Sequence, residues 1–322
     1  MSTRHLVDPE LLDLLDLFPT VELSRAELPA LRSAERELPV GPPPGPAVVE
    51  AVDLQRRRIP GPEGGQELEI AVYAPCEEAA PRPCIFHIHG GGFVGGCSEI
   101  LEPLHRPLAM ELDCVLTSVD YRLAPETPFP GGIEDCYAAL GWVFRNAGEL
   151  GIDPNRIGVM GESAGGGLAA ALALLARDRG EYALTFQHLI YPMLDDRTCV
   201  TDTDNPVTGE FIWTRHNNHF GWNALLGREP GAPDVSPYAA PARATELAGL
   251  PPTFISTPTL DLFFDEDLDY ASRLARAGVL VELHVYPGGY HGFDLHPTAQ
   301  LAQQARRDSV EALKRNLRRT TA

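Results

Sequence analysis

The chain has 322 residues, 44% of them apolar and 22% charged, values ordinary for a folded protein and incompatible with wholesale disorder. Lys and Arg number 26 against 45 Asp and Glu, and the resulting net charge of −19 repels nucleic-acid phosphates and anionic lipid, so both are poor partners. No run approaches the ~20 apolar residues of a membrane span, and acids interrupt the leucines of the opening MSTRHLVDPELLDLLDLF, which is unlike a secretion signal.

The first forty residues read as helical. Leu11, Leu12, Leu14, Leu15, Leu17 and Phe18 form an apolar set, with Asp13 and Asp16 between them. The proline-rich run from Pro39 to Pro46 then reads as an extended linker, which makes the N-terminal segment an appendage on the main body. From about residue 50, short β-rich runs alternate with helical stretches. Leu68–Tyr73, Cys84–His89, Cys114–Tyr121, Arg156–Gly161, Leu184–Tyr191, Pro252–Ser256 and Leu280–Tyr286 read as strands. Pro130–Asn146, Ala164–Arg177 and a last stretch near Pro297–Arg318 read as helices. The alternation predicts a mostly parallel sheet covered on both faces. Residues 195–245 break the rhythm but carry Phe211, Trp213, Phe220 and Trp222, so they read as an ordered lid. The expected organisation is an N-terminal cap segment at 1–45, a first core part at 46–194, a cap insertion at 195–245 and a second core part at 246–322.

Cys76, Cys84, Cys97, Cys114, Cys136 and Cys199 are scattered, with no C-x-x-C pair. That usage fits a reducing, cytoplasmic compartment better than a disulfide framework.

The strongest chemical signal is Gly161-Glu162-Ser163-Ala164-Gly165, placed after a predicted strand and at the start of a predicted helix. That is the context of a G-x-S-x-G nucleophile turn, whose small residues let strand and helix approach while the serine hydroxyl is lifted above the sheet edge. The second is His89-Gly90-Gly91-Gly92-Phe93, also after a strand. Acyl transfer needs at least two amide donors facing the developing oxyanion, and Gly91, Gly92 and Ala164 are the candidates. A phosphate cradle fails on detail, since no Gly-Lys-Ser/Thr follows and the glycine spacing differs from G-x-G-x-x-G. His89 reads as a brace for this loop.

A serine needs a base. His291 lies in Tyr286–Phe293, in the loop after the last predicted strand, at the sheet edge where sites form; His296 is the backup. Asp261 is the first carboxylate after the strand ending at Ser256, while Asp265, Glu266 and Asp267 read as solvated acids at a helix start. The order Ser163, Asp261, His291 is that of one serine-hydrolase fold among several. Tyr121-Arg122 and Glu126 read as a structural brace. The pairs His87/His89 and His216/His219 raise a metal reading, but no third ligand is evident, and neither metal nor cofactor is called for.

In these segments the sequence resembles the hormone-sensitive-lipase-like branch of the α/β-hydrolases, the bacterial carboxylesterases, from about residue 40 onward. Asp120-Tyr-Arg-Leu-Ala-Pro-Glu126 and Phe129-Pro-Gly-Gly-Ile-Glu-Asp135 add to the likeness. The resemblance implies an α/β-hydrolase fold with a helical cap and a small ester substrate. It implies Ser163 as nucleophile, His291 as base, Asp261 as acid, and Gly91, Gly92 and Ala164 as oxyanion donors. Relatives often pair through the sheet edge, so a homodimer is a further expectation. A hormone-receptor role on the same fold and an amide, lactone or carbamate substrate are the alternatives. The chain departs from the pattern at Glu162, where many relatives have Asp or Thr, and at Leu262, where the usual residue is proline. The first predicts altered hydrogen bonding behind the turn; the second predicts a looser anchor on Asp261.

Overall fold

A computed structural model describes residues 2–17, 21–37, 40–62, 65–77, 81–198, 200 and 205–321. Phe18, Pro39 and Cys199 therefore lie outside the described residues. The leading segment is less continuous than its leucines suggest. A short 3-10 turn, Pro9–Leu11, leads into α1 (Leu12–Leu17), and α2 (Leu28–Glu37) follows. Leu11 and Leu15 are buried, whereas Leu17 is exposed. Pro46 does not extend the linker; it opens α3 (Pro46–Ala51), at a helix start where a missing N–H costs nothing.

The sheet begins with β1 (Val52–Ile59), which the sequence reading did not anticipate. It is an edge strand buried only at its ends, with Arg56, Arg57 and Arg58 in between, so it lacks the apolar run or alternation that marks a strand. Then come β2 (Leu68–Pro75), β3 (Arg82–Ile88), α4 (Glu102–Leu112), β4 (Val115–Asp120), α5 (Gly131–Arg145), β5 (Ile152–Glu162), α6 (Ala164–Arg179) and β6 (Gln187–Ile190). α7 (Arg215–Leu226), β7 (Thr253–Pro258), α8 (Phe264–Arg276), β8 (Val281–Tyr286) and α9 (Gln300–Asn316) complete the order.

Among the described residues the sheet has eight strands in the order β1-β2-β4-β3-β5-β6-β7-β8. The pairs β1–β2 and β2–β4 are antiparallel and the others parallel, as the alternation predicts. Period-two patterning feeds two apolar layers. Ile70, Val72, Phe86, Ile88 and Val119 join the layer that includes α5, α6 and α8. Tyr73, Ile85 and Leu116 join the layer with Ala109 of α4 and Leu313 of α9. The parallel arrangement puts the C-terminal ends of β3, β5, β7 and β8 on one edge, and the loops leaving those ends carry the candidate site.

In the segment from 205 to 250, Trp222 is fully buried and Trp213 nearly so, while Phe211 and Phe220 are half-buried. This segment meets the leading residues directly. Asn217 accepts from Leu23 N–H at 2.8 Å and donates to Val21 O at 2.8 Å, and His216 meets Leu23 O at 3.0 Å.

Candidate active site

β5 delivers Ser163 into a sharp turn. Its φ of 57° and ψ of −124° are unfavourable for a residue with a Cβ, and α6 begins at the next residue. The conformation is held by the backbone on both sides: Ser163 N–H donates to Ile190 O, and Ser163 O accepts from Gly167 and Met193. The turn packs so tightly on the strand before His89 that a Cβ at Gly165 would lie 2.1 Å from Ile88 O. Glycine there is a steric requirement.

The structure brings together the three widely spaced residues. His291 Nε2 lies 2.9 Å from Ser163 Oγ, and His291 Nδ1 lies 2.7 Å from Asp261 Oδ2. All three are buried. Asp261 Oδ1 accepts from Phe263 N–H at 3.0 Å, and the Leu262 side chain packs beneath Gly209. Around the imidazole stand Tyr191, Phe263 and Trp213, with ring centroids 4.8, 5.4 and 6.3 Å away. None of these three was singled out as a site residue, because each reaches His291 only through the tertiary fold. The cluster of aromatics at 211–222 was the one usable signal.

The loop after β3 turns at Gly91 and Gly92, with φ of 113° and 59°. Gly91 O accepts from Val94 and Gly95, which curls the loop. The ring of Trp213 lies against Gly92, so that a Cβ there would come within 2.0 Å of it. Helix α2 holds the loop from outside: Arg32 Nε donates to Val94 O at 2.7 Å, and Glu35 accepts from Gly96 N–H at 2.9 Å.

His89 braces the loop, as read from the sequence. Nδ1 donates to Gly90 O at 2.8 Å, the ring stacks on Tyr121 at 4.4 Å, and Tyr121 Oη donates to His89 O. Burial pushes its pKa down, against the pull of Asp120, and so favours the neutral ring. Behind the turn, Glu162 bridges two groups. One carboxylate oxygen accepts from Gly90 N–H at 2.9 Å and the other meets His87 Nε2 at 2.8 Å. Burial pushes this carboxyl up, but His87 and the Gly90 amide outweigh it and hold the group below the usual range.

Other candidates go elsewhere. His296 meets Asp13 at 3.0 Å, far from the serine in its bonding. His87 is taken by Ser118 and Glu162, His216 by Leu23 and His219 by Glu229. Arg122 grips the fully buried Asp135 through two nitrogens at 2.6 and 2.8 Å, whereas Glu126 is exposed and pairs with Arg32. Glu266 and Asp267 are not solvated: both are buried, and burial pushes both carboxyls well up. Helix α8 turns that face into the core rather than toward water.

A family model described as the alpha/beta hydrolase fold matches residues 85–295. The carboxylesterase NlhH of Mycobacterium tuberculosis is 36% identical over 325 aligned residues, covering 97% of this chain and 96% of that protein. The arylesterase of Saccharolobus solfataricus is 30% identical, covering 89% of this chain and 92% of its own. Among solved structures, a bacterial heroin esterase superposes with a TM-score of 0.89 at 42% identity, covering 99% of this chain and all of that one.

Proposed function

This chain belongs to the α/β-hydrolase fold family, in its hormone-sensitive-lipase-like branch, and from that membership we propose that it is a serine carboxylesterase acting on short- to medium-chain acyl esters. The observation that carries the reading is the unbroken hydrogen-bond chain from Ser163 through His291 to Asp261. In the proposed reaction Ser163 Oγ attacks the acyl carbon while His291 Nε2 takes its proton. Asp261 fixes the Nδ1–H tautomer and steadies the imidazolium. The amides of Gly91, Gly92 and Ala164 receive the oxyanion. The tetrahedral adduct then breaks its bond to the alcohol oxygen, which leaves with the proton from His291. A water molecule, activated by the same ring, releases the acid and restores Ser163. General-base and oxyanion contributions of about 10²–10⁴-fold each make this arrangement an effective one.

In this reading residues 1–45 and 195–245 form a cap over the core residues 46–194 and 246–322, supported by the bonds that tie Val21 and Leu23 to α7. Trp213 over Gly92 supports a confined acyl space. The free edge of β8, with exposed Leu280, Leu283 and Val285, supports contact with a second copy of the chain. Unpaired Cys76, Cys84, Cys97, Cys114 and Cys136 support a cytoplasmic setting.

The test is turnover of p-nitrophenyl esters from acetate to palmitate by the wild type and by Ser163→Ala. The expected result is hydrolysis of the shorter esters by the wild type and loss of turnover in the variant. Equal rates in the two proteins would overturn the reading.

A further inference from the structure

Two turns must stay in register for the proposed reaction. One presents Ser163 and the Ala164 amide; the other carries Gly91 and Gly92. Their donors have to converge on one oxygen at about 2.7–3.1 Å, so the spacing between the turns decides whether the hole works. The turns meet backbone to backbone. A Cβ at Gly165 would lie 2.5 Å from His89 O, and one at Gly90 would lie 2.9 Å from Glu162 O. Close contact alone keeps the turns from approaching further, but it does not keep them from separating.

Glu162 ties them. It is the residue before the serine, and its carboxylate reaches across to the Gly90 amide at 2.9 Å, one residue before the two glycines of the loop. The second oxygen is held by His87 Nε2 at 2.8 Å. His87 Nδ1 in turn meets Ser118 Oγ at 3.0 Å, which roots the tie in β4. We infer that Glu162 is a positioning residue for the oxyanion hole, its carboxylate oxygen holding the Gly91–Gly92 loop at working distance from Ala164 by accepting the Gly90 N–H. The inference rests on the esterase reading. Glu162 acts through the loop and touches no reacting atom. A negative group so near a developing oxyanion opposes it electrostatically, so what it contributes is the acceptor and the reach of its side chain rather than its charge.

The experiment compares Glu162→Met, which keeps length without an acceptor, with Glu162→Gln, which keeps both. A misplaced donor costs on the order of ten- to a hundredfold, and the Met variant is expected to lose that much in kcat with KM within about twofold. Affinity for a trifluoromethyl ketone, which forms a tetrahedral adduct with the serine, should fall by a similar factor, while affinity for the product carboxylate stays level. The Gln variant should return most of both losses. Glu162→Asp, one methylene shorter, should behave like Met, and it carries the test if the Met variant does not fold. Met or Asp variants with unchanged kcat, a loss confined to KM, or a Gln variant as poor as Met would each overturn the inference. A wild type that turns over no ester would instead overturn the esterase reading, and the two failures are thereby distinct.

Discussion

Trp213 is the residue whose replacement should change what the protein accepts. Its ring lies against Gly92 and its centroid is 6.3 Å from that of His291, so the indole occupies space beside the proposed acyl position. Trp213→Ala is expected to move the preferred acyl chain toward longer esters. A pocket change of this size is worth about 1–3 kcal/mol of discrimination, roughly ten- to a hundredfold in the hexanoate-to-acetate ratio of kcat/KM. Kinetics across the p-nitrophenyl series check it, and an unchanged ratio would place the acyl chain elsewhere. Ser163→Ala should lower kcat by about 10⁴-fold or more, measured against the uncatalysed background. Ser163 was legible in the sequence because strand, tight turn and helix lie within a few consecutive residues, and Gly91 and Gly92 because consecutive glycines follow directly on a strand. His291 and Asp261 were legible by their places after strand ends. Tyr191, Phe263 and Trp213 were not, since nothing local distinguishes an aromatic beside an imidazole from one in the core. The reach of Glu162 to Gly90 spans 72 positions and leaves no periodic trace.

Helix α8 shows what a pattern-based reading loses at the level of an element. Its first turn, Phe264-Asp265-Glu266-Asp267, looks like a solvated helix start, yet Asp267 is fully buried and Glu266 nearly so. Glu266 is satisfied by the amides of Leu194 and Asp195, with the Thr198 hydroxyl also donating. Burial, joined by the charge of neighbouring Glu266, pushes the Asp267 carboxyl well above its ordinary value of 3.8. The consequence for stability has a definite sign. Below that ordinary value both folded and unfolded chains hold the proton. Above it the unfolded chain releases the proton and the folded chain keeps it, so stability falls as pH rises toward the folded-state pKa. Asp267→Asn removes this loss. Its melting temperature relative to wild type is expected to rise between pH 5 and pH 8, and a constant difference across that range would contradict the assignment. β1 escaped for the opposite reason: a polar edge strand with three arginines has no apolar rhythm to read. The buried strands β3, β4, β5 and β7 were legible because their apolar runs are short, continuous and followed by turn residues.

Among the described residues the sheet ends at β8, where Leu283 and Val285 are exposed while Tyr286 on the other face is buried. If a second copy covers this edge, light scattering should report twice the 35.0 kDa chain mass, and Leu283→Lys should return it to the single-chain value. A wild type of single-chain mass would remove the paired state from the proposal.

The grip of Arg32 and Glu35 on Val94 and Gly96 has a consequence for any attempt to exchange parts between relatives. A transplanted leading segment would bring along a foreign clamp for the glycine turn, and chimaeras made this way should inherit the donor's pace of turnover as well as its taste in substrates.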